Sequence, residues 1–134
     1  MNIVTLIGVI VDSPILREFD SGARGSFITL KVARPFKSMD GNFEFDYIKC
    51  CLWEGIAQNT CEYCSKGDTI AIRGRLATYS DEIKVSDANG NEKFKKISTL
   101  QCIVERVSFI STSRRNKQYD PSNEPYQDLV EEKN

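Results

Sequence analysis

Ile3–Val11 is an almost unbroken apolar run, which predicts a strand covered on both faces, and the Asp12-Ser13-Pro14 cluster ends it. In Ser26–Ala33 the residues Ile28, Leu30 and Val32 alternate with Thr29, Lys31 and Ala33, the period of two that marks a half-buried strand. Pro35 is expected to stop that strand, and Met39-Asp40-Gly41-Asn42 to form a turn. A third strand follows over Phe43–Trp53, with Ile48, Cys50 and Leu52 on one side and Tyr47, Lys49, Cys51 and Trp53 on the other. Glu54–Lys66 reads as a short helix, because Ala57, Cys61 and Cys64 fall at i, i+4 and i+7 and Gly67 supplies a stop. The fourth strand, Thr69–Tyr79, sets Ile70, Ile72, Gly74 and Leu76 against Arg73, Arg75 and Ala77. A long hairpin arm then turns at Asn89-Gly90, and the last strand, Phe94–Ile110, slips its alternation by one near Glu105-Arg106.

The order β-β-β-α-β-β predicts an all-β protein. A single short helix between strands three and four is the connectivity of the five-stranded Greek-key barrel called the OB-fold, here with an extended hairpin arm. An SH3-like barrel lacks that helix, and an immunoglobulin sandwich needs more strands. No internal repeat is present. Past Ser111 the chain turns polar and Pro-punctuated, so the reading divides it into a barrel domain at 1–111 and a disordered acidic tail at 112–134.

Charge sharpens this division. The formal net charge of −1 argues against a nucleic-acid binder, yet residues 1–118 carry +3 and residues 119–134 carry −4, so an acidic end masks a mildly basic body. A solvated charge run explains the same asymmetry without any function. The opening residues have no basic leader pattern and no apolar run reaches the ~18 residues of a membrane span, so a soluble, cytoplasmic protein is expected. The five cysteines, an odd number, fit reduced thiols better than a disulfide framework.

Catalytic chemistry is sparse. The chain has no histidine, no Gly-rich phosphate loop and no paired-carboxylate motif, so an enzyme is not expected and neither is a cofactor. Cys61-x-x-Cys64 has the spacing of half a zinc site, but both cysteines fall on the apolar helix face, where a thiol acts as a small hydrophobe. No metal is expected. What stands out is aromatics interleaved with cations: Tyr47, Lys49 and Trp53 on the outward side of strand three, beside Arg34-Pro35-Phe36-Lys37 at the exit of strand two. Such a surface stacks bases and pairs phosphates. Alternatively, Phe36 and Trp53 close the barrel end or fill a subunit interface.

Over residues 1–110 the chain resembles the bacterial single-stranded DNA-binding proteins. The resemblance is carried by Asn2-Ile3-Val4-Thr5-Leu6-Ile7-Gly8, by Ile15-Leu16-Arg17 after Pro14, and by Phe27–Val32 followed by Arg34-Pro35-Phe36-Lys37. Further along it rests on Phe45-Asp46-Tyr47-Ile48-Lys49-Cys50 with Trp53, on Tyr63 and Lys66-Gly67, and on Gly74-Arg75-Leu76. It implies binding of single-stranded DNA in replication, recombination and repair, in a homotetramer or a dimer. By position, Phe36, Tyr47 and Trp53 become stacking candidates and Arg34, Lys37, Lys49 and Arg75 phosphate contacts. Arg73 and Tyr79, the latter near the family's strand-four aromatic, complete the expected DNA-binding set. An acidic tail implies replication or repair proteins as partners, but here it ends in Asp128-Leu129-Val130-Glu131-Glu132-Lys133-Asn134, without the family's closing Pro-Phe. The competing reading is an OB-fold adaptor of the primosomal type that acts through protein contacts. A thiol nucleophile at Cys50 or Cys51 has no base in evidence.

Overall fold

A computed structural model describes residues 1–113. The elements are β1 (Val4–Ile10), β2 (Arg17–Glu18), β3 (Arg24–Lys37), β4 (Phe43–Trp53), α1 (Glu54–Tyr63), β5 (Thr69–Ser86) and β6 (Glu92–Ser111). The sheet order is β1-β5-β6-β4-β3-β2, and a second pairing of β1 with β3, Val9 with Lys31 and Ile10 with Leu30, closes five long strands into a barrel. The pairing is antiparallel throughout except where β4 meets β6, with Cys50 beside Cys102 and Cys51 beside Ile103. This is the OB-fold architecture that the strand order predicts.

The core lies inside the barrel. It gathers Ile10, Ile28, Leu30, Leu52, Ile70, Ile72, Val104, Val107 and Phe109 with the thiols Cys50 and Cys102, under the lid made by α1. Each large aliphatic that is wholly buried contributes about 1.5–3 kcal/mol. The slip foreseen near Glu105-Arg106 is a bulge: Arg73 pairs with Arg106, but the next residue, Gly74, pairs with Val104. Glu105 is the unpaired extra residue, and it resets the alternation so that both Val104 and Val107 face inward. The turns marked by Asp40-Gly41 and Asn89-Gly90 form as read, with Gly41 at φ 81° and Gly90 at φ 78°.

Four expectations need correction. β1 is covered on one face only: Gly8 and Ile10 are buried, whereas Ile3 and Ile7 are 54% and 60% exposed. An apolar run says that both faces avoid water, but the described residues cover only one. Pro35 does not stop β3. The strand continues to Lys37 through a break in the ladder, Ala33 pairing with Phe45 and then Lys37 with Phe43, and a proline is tolerated where no ladder hydrogen bond is needed. The helix ends at Tyr63, not Lys66, because the Asp68 carboxylate accepts the Ser65 N–H (2.7 Å) and Gly67 donates to the Ile10 carbonyl (2.9 Å). Its buried face is Ala57 and Thr60 followed by Cys64, with Cys61 only half-buried. Finally, β2 was not foreseen; two exposed residues carry no periodicity.

The expectation of a disordered tail falls almost wholly outside the described residues. Of the span 112–134 only Thr112 and Ser113 are described; Thr112 is buried and the Ser113 N–H donates to Asp68 (2.9 Å).

Candidate nucleic-acid interface

The outer face of the β3–β4 pair follows from strand alternation. Ile28 and Leu30 on β3, with Cys50 and Leu52 on β4, point inward and are buried, so their neighbours point out. The register then sets Gly25 opposite Trp53, Phe27 opposite Cys51, Thr29 opposite Lys49, Lys31 opposite Tyr47, Ala33 opposite Phe45 and Lys37 opposite Phe43. One face thus carries five aromatics and three lysines in interleaved order. Cation and ring also meet directly, with Lys31 Nζ 4.2 Å from the centre of the Phe45 ring and Lys37 Nζ 4.8 Å from that of Phe43.

Trp53 anchors one end of this face. Its indole lies over Gly25, where a Cβ would come within 2.8 Å of the six-membered ring, so only glycine leaves room. Phe19 and Phe27 hold it from the sides, with ring centres at 5.6 and 6.0 Å, and touch each other edge-on at 6.3 Å. The chain must leave β4 abruptly for Trp53 to stay on the sheet surface, and Glu54 makes that corner in the left-handed region at φ 52°. Such a conformation in a non-glycine residue costs on the order of 1–3 kcal/mol. The Glu54 carboxylate secures the corner by accepting the Arg24 backbone N–H at 3.2 Å.

A groove of about 520 Å³ opens beside this cluster, lined by Phe27, Thr29, Lys49, Trp53, Tyr79 and Gln101 among others. The structure therefore brings Lys49, Trp53 and Tyr79 to one place, although Tyr79 arrives from β5 across β6. Cys51 forms part of the floor and donates its S–H to Gln101 Oε1 at 3.0 Å. Burial raises the Cys51 and Cys102 thiols above their ordinary range and pushes Cys50 up to about 12. At neutral pH these thiols stay protonated, which removes thiolate chemistry from the floor of the groove.

The other predicted residues are distributed around this centre. Tyr47 is exposed on the same outer face. Arg75 shares a cross-strand row with Ile103 and Cys51, so it borders the groove side. Arg73 lies past the Glu105 bulge, in a row with Thr5 and Arg106, on the wall that includes β1. Phe36, 64% exposed, and Lys37 stand at the β3–β4 tip. Arg34 is not on the aromatic face. It binds Glu44 and Asp46, which share the other side of β4 with Ile48, Cys50 and Leu52. Its hydrogen bonds hold the Asp46 carboxyl below the ordinary range.

Three aromatics of the face, and Phe19 beside it, went unnamed as candidates in the sequence. Phe27 and Phe45 are legible in hindsight, since each extends an outward row already read, that of Thr29 and Lys31 and that of Tyr47 and Lys49. Phe43 continues the second row. Phe19 carries no such signal, because it sits in the irregular segment between β2 and β3 and reaches Trp53 only through the fold.

Comparison with known proteins identifies the family. Residues 1–110 match the family model described as the single-strand binding protein family. The chain is 34% identical over 119 residues to single-stranded DNA-binding protein B of Bacillus subtilis, covering 89% of this chain and 98% of that protein. It is 31% identical over 123 residues to single-stranded DNA-binding protein 3 of Listeria innocua, covering 92% of this chain and 72% of that one.

Proposed function

Because this chain belongs to the single-strand binding protein family, we propose that it binds single-stranded DNA, without regard to sequence, on the outer face of β3 and β4. The observation that carries the reading is the Trp53 cluster beside Lys49 and Tyr79 around one open groove. Unpaired bases present flat faces that replace the water over Trp53, Phe27 and Tyr79. Lys49, with Lys31, Lys37 and Arg75, neutralises phosphates as the strand passes. No base edge is read, so one site serves any sequence. The service is protective: it holds strands single during replication, recombination and repair, with no chemical step and no cofactor. A surface built this way discriminates against duplex, whose bases already stack on each other.

The active form proposed is a homotetramer. Ile3 and Ile7 stand on a strand face that the barrel leaves bare, and a closed assembly is the usual way to cover such a face. Light scattering at micromolar concentration should give a multimer, and a monomer would count against it. The acidic end is proposed to compete with DNA for the lysines and to meet partner proteins. Removing residues 119–134 should then tighten binding, most at low salt where screening is weakest.

The deciding experiment uses Trp53, the sole tryptophan. Adding oligo-dT should quench its fluorescence strongly, while a duplex of equal length at the same salt should not. Equal affinity for both would reduce the interaction to phosphate attraction. An unquenched Trp53 in a folded, multimeric protein would favour an adaptor working through protein contacts.

A further inference from the structure

Arg34 looks in the sequence like a phosphate contact, yet its surroundings give it another task. Its Nε donates to both oxygens of Asp46 (3.1 and 3.2 Å), its Nη2 to Asp46 Oδ1 (2.8 Å) and its Nη1 to Glu44 Oε2 (2.7 Å). All three nitrogens of the fork are thus engaged by carboxylates. Two anions around one cation leave the cluster at net −1, which repels a phosphate.

The location matters as much as the charge. Between the pairs Ala33–Phe45 and Lys37–Phe43 the β3–β4 ladder is broken, and Arg34, Pro35 and Phe36 all face the single residue Glu44. Pro35 has no N–H to give to a ladder. The Arg34 fork reaches across to the two residues flanking Phe45: Glu44, which lies in the break, and Asp46, the last-but-one paired position before it, opposite Val32. A planar, bidentate guanidinium suits that bridge, since its geometry is fixed in a way that an ammonium's is not.

We propose that Arg34 is a positioning residue and not a phosphate contact: bridging Glu44 and Asp46 behind the sheet, it holds the Arg34–Phe36 bulge in shape and so sets where Phe36, Phe43 and Phe45 stand toward DNA. The inference rests on the outer face of β3 and β4 being the DNA surface.

The full chain is titrated with oligo-dT at several salt concentrations, following Trp53, with melting temperature checked for each variant. Arg34→Ala should weaken binding roughly three- to tenfold, a fraction of one base's stacking, with the slope of log affinity against log salt unchanged. Arg34→Lys keeps the charge but cannot span both carboxylates, so it should behave like Arg34→Ala. Asp46→Ala should also weaken binding, even though removing a negative charge by itself favours a polyanion. The proposal is overturned if Arg34→Ala lowers the slope by about one and Arg34→Lys restores it. It is equally overturned if Asp46→Ala tightens binding, or if all three variants bind as the parent does. Lys49→Ala, run alongside, should lower the slope by about one. If Lys49→Ala and Trp53→Ala both leave binding intact, the DNA surface itself is misplaced, whereas the Arg34 slope still tests its own assignment.

Discussion

Two hairpins leave this barrel, and they are built on different terms. The β3–β4 hairpin keeps one row of side chains buried along much of its length, Ile28 and Leu30 against Cys50 and Leu52, and uses the opposite row to display rings and lysines. The β5–β6 arm keeps unbroken pairing from Gly74–Val104 out to Ser86–Glu92, yet residues 78–96 bury no side chain at all. Phe94 is 75% exposed and Leu100 59%. Regular backbone pairing therefore does not imply a core. A face with a buried back can orient its front side chains within narrow limits, as the Gly25–Trp53 contact does, whereas among the described residues nothing packs behind the arm.

The contrast is broken most directly at the root of β4. Leu52 is fully buried, so Leu52→Ala should cost about 2–5 kcal/mol of folding free energy, measured by denaturant unfolding. A loss under about 0.5 kcal/mol, the scale of a surface change, would mean that the two hairpins do not differ as described.

Next in size is Trp53→Ala, which tests the front of the same hairpin. Stacking on the aromatics of OB-fold single-strand binders is worth ~1–3 kcal/mol per base, a magnitude known for this class of protein and not obtained from this structure. Affinity for oligo-dT should accordingly fall about 5- to 150-fold while the fold survives. Normal binding by a folded variant would return Trp53 to a packing role.

A smaller effect is expected in alkali. The buried thiols at the barrel root titrate higher in the folded chain than in the unfolded one, with Cys50 pushed up to about 12. The contribution of Cys50 is fully present below the unfolded thiol range, near pH 8.5, and is lost as pH climbs from there toward about 12. Melting temperature should therefore decline above about pH 8.5, and less so in Cys50→Ala, read relative to its own neutral-pH value. An identical alkaline decline in both proteins would show that Cys50 is not the source.

The arm gives the smallest change. Phe94→Ser should alter unfolding free energy by no more than about 0.5 kcal/mol. A larger loss would reveal that another copy or another segment covers Phe94.

Periodicity determined much of this protein before any coordinates. The order of the long strands and the helix along the chain, the β4 boundaries at Phe43 and Trp53, the turns at Gly41 and Gly90 and the Glu105 bulge all follow from local patterns. Where one face is buried, alternation must track the pleat, and a slip in it must be a bulge. The interleaving of Tyr47, Lys49 and Trp53 was equally visible, because it lies along a single strand. Only the tertiary structure decided what depends on residues far apart in sequence. Tyr79 joins Trp53 across an intervening strand, Phe19 reaches it from a segment without period, and Arg34 turns from the lysines toward Glu44 and Asp46. A bulge rotates side chains by amounts that no one-dimensional pattern records. The two carboxylates that claim Arg34 become its neighbours only once β3 and β4 are in register, for charge attraction acts on distance in space and not along the chain.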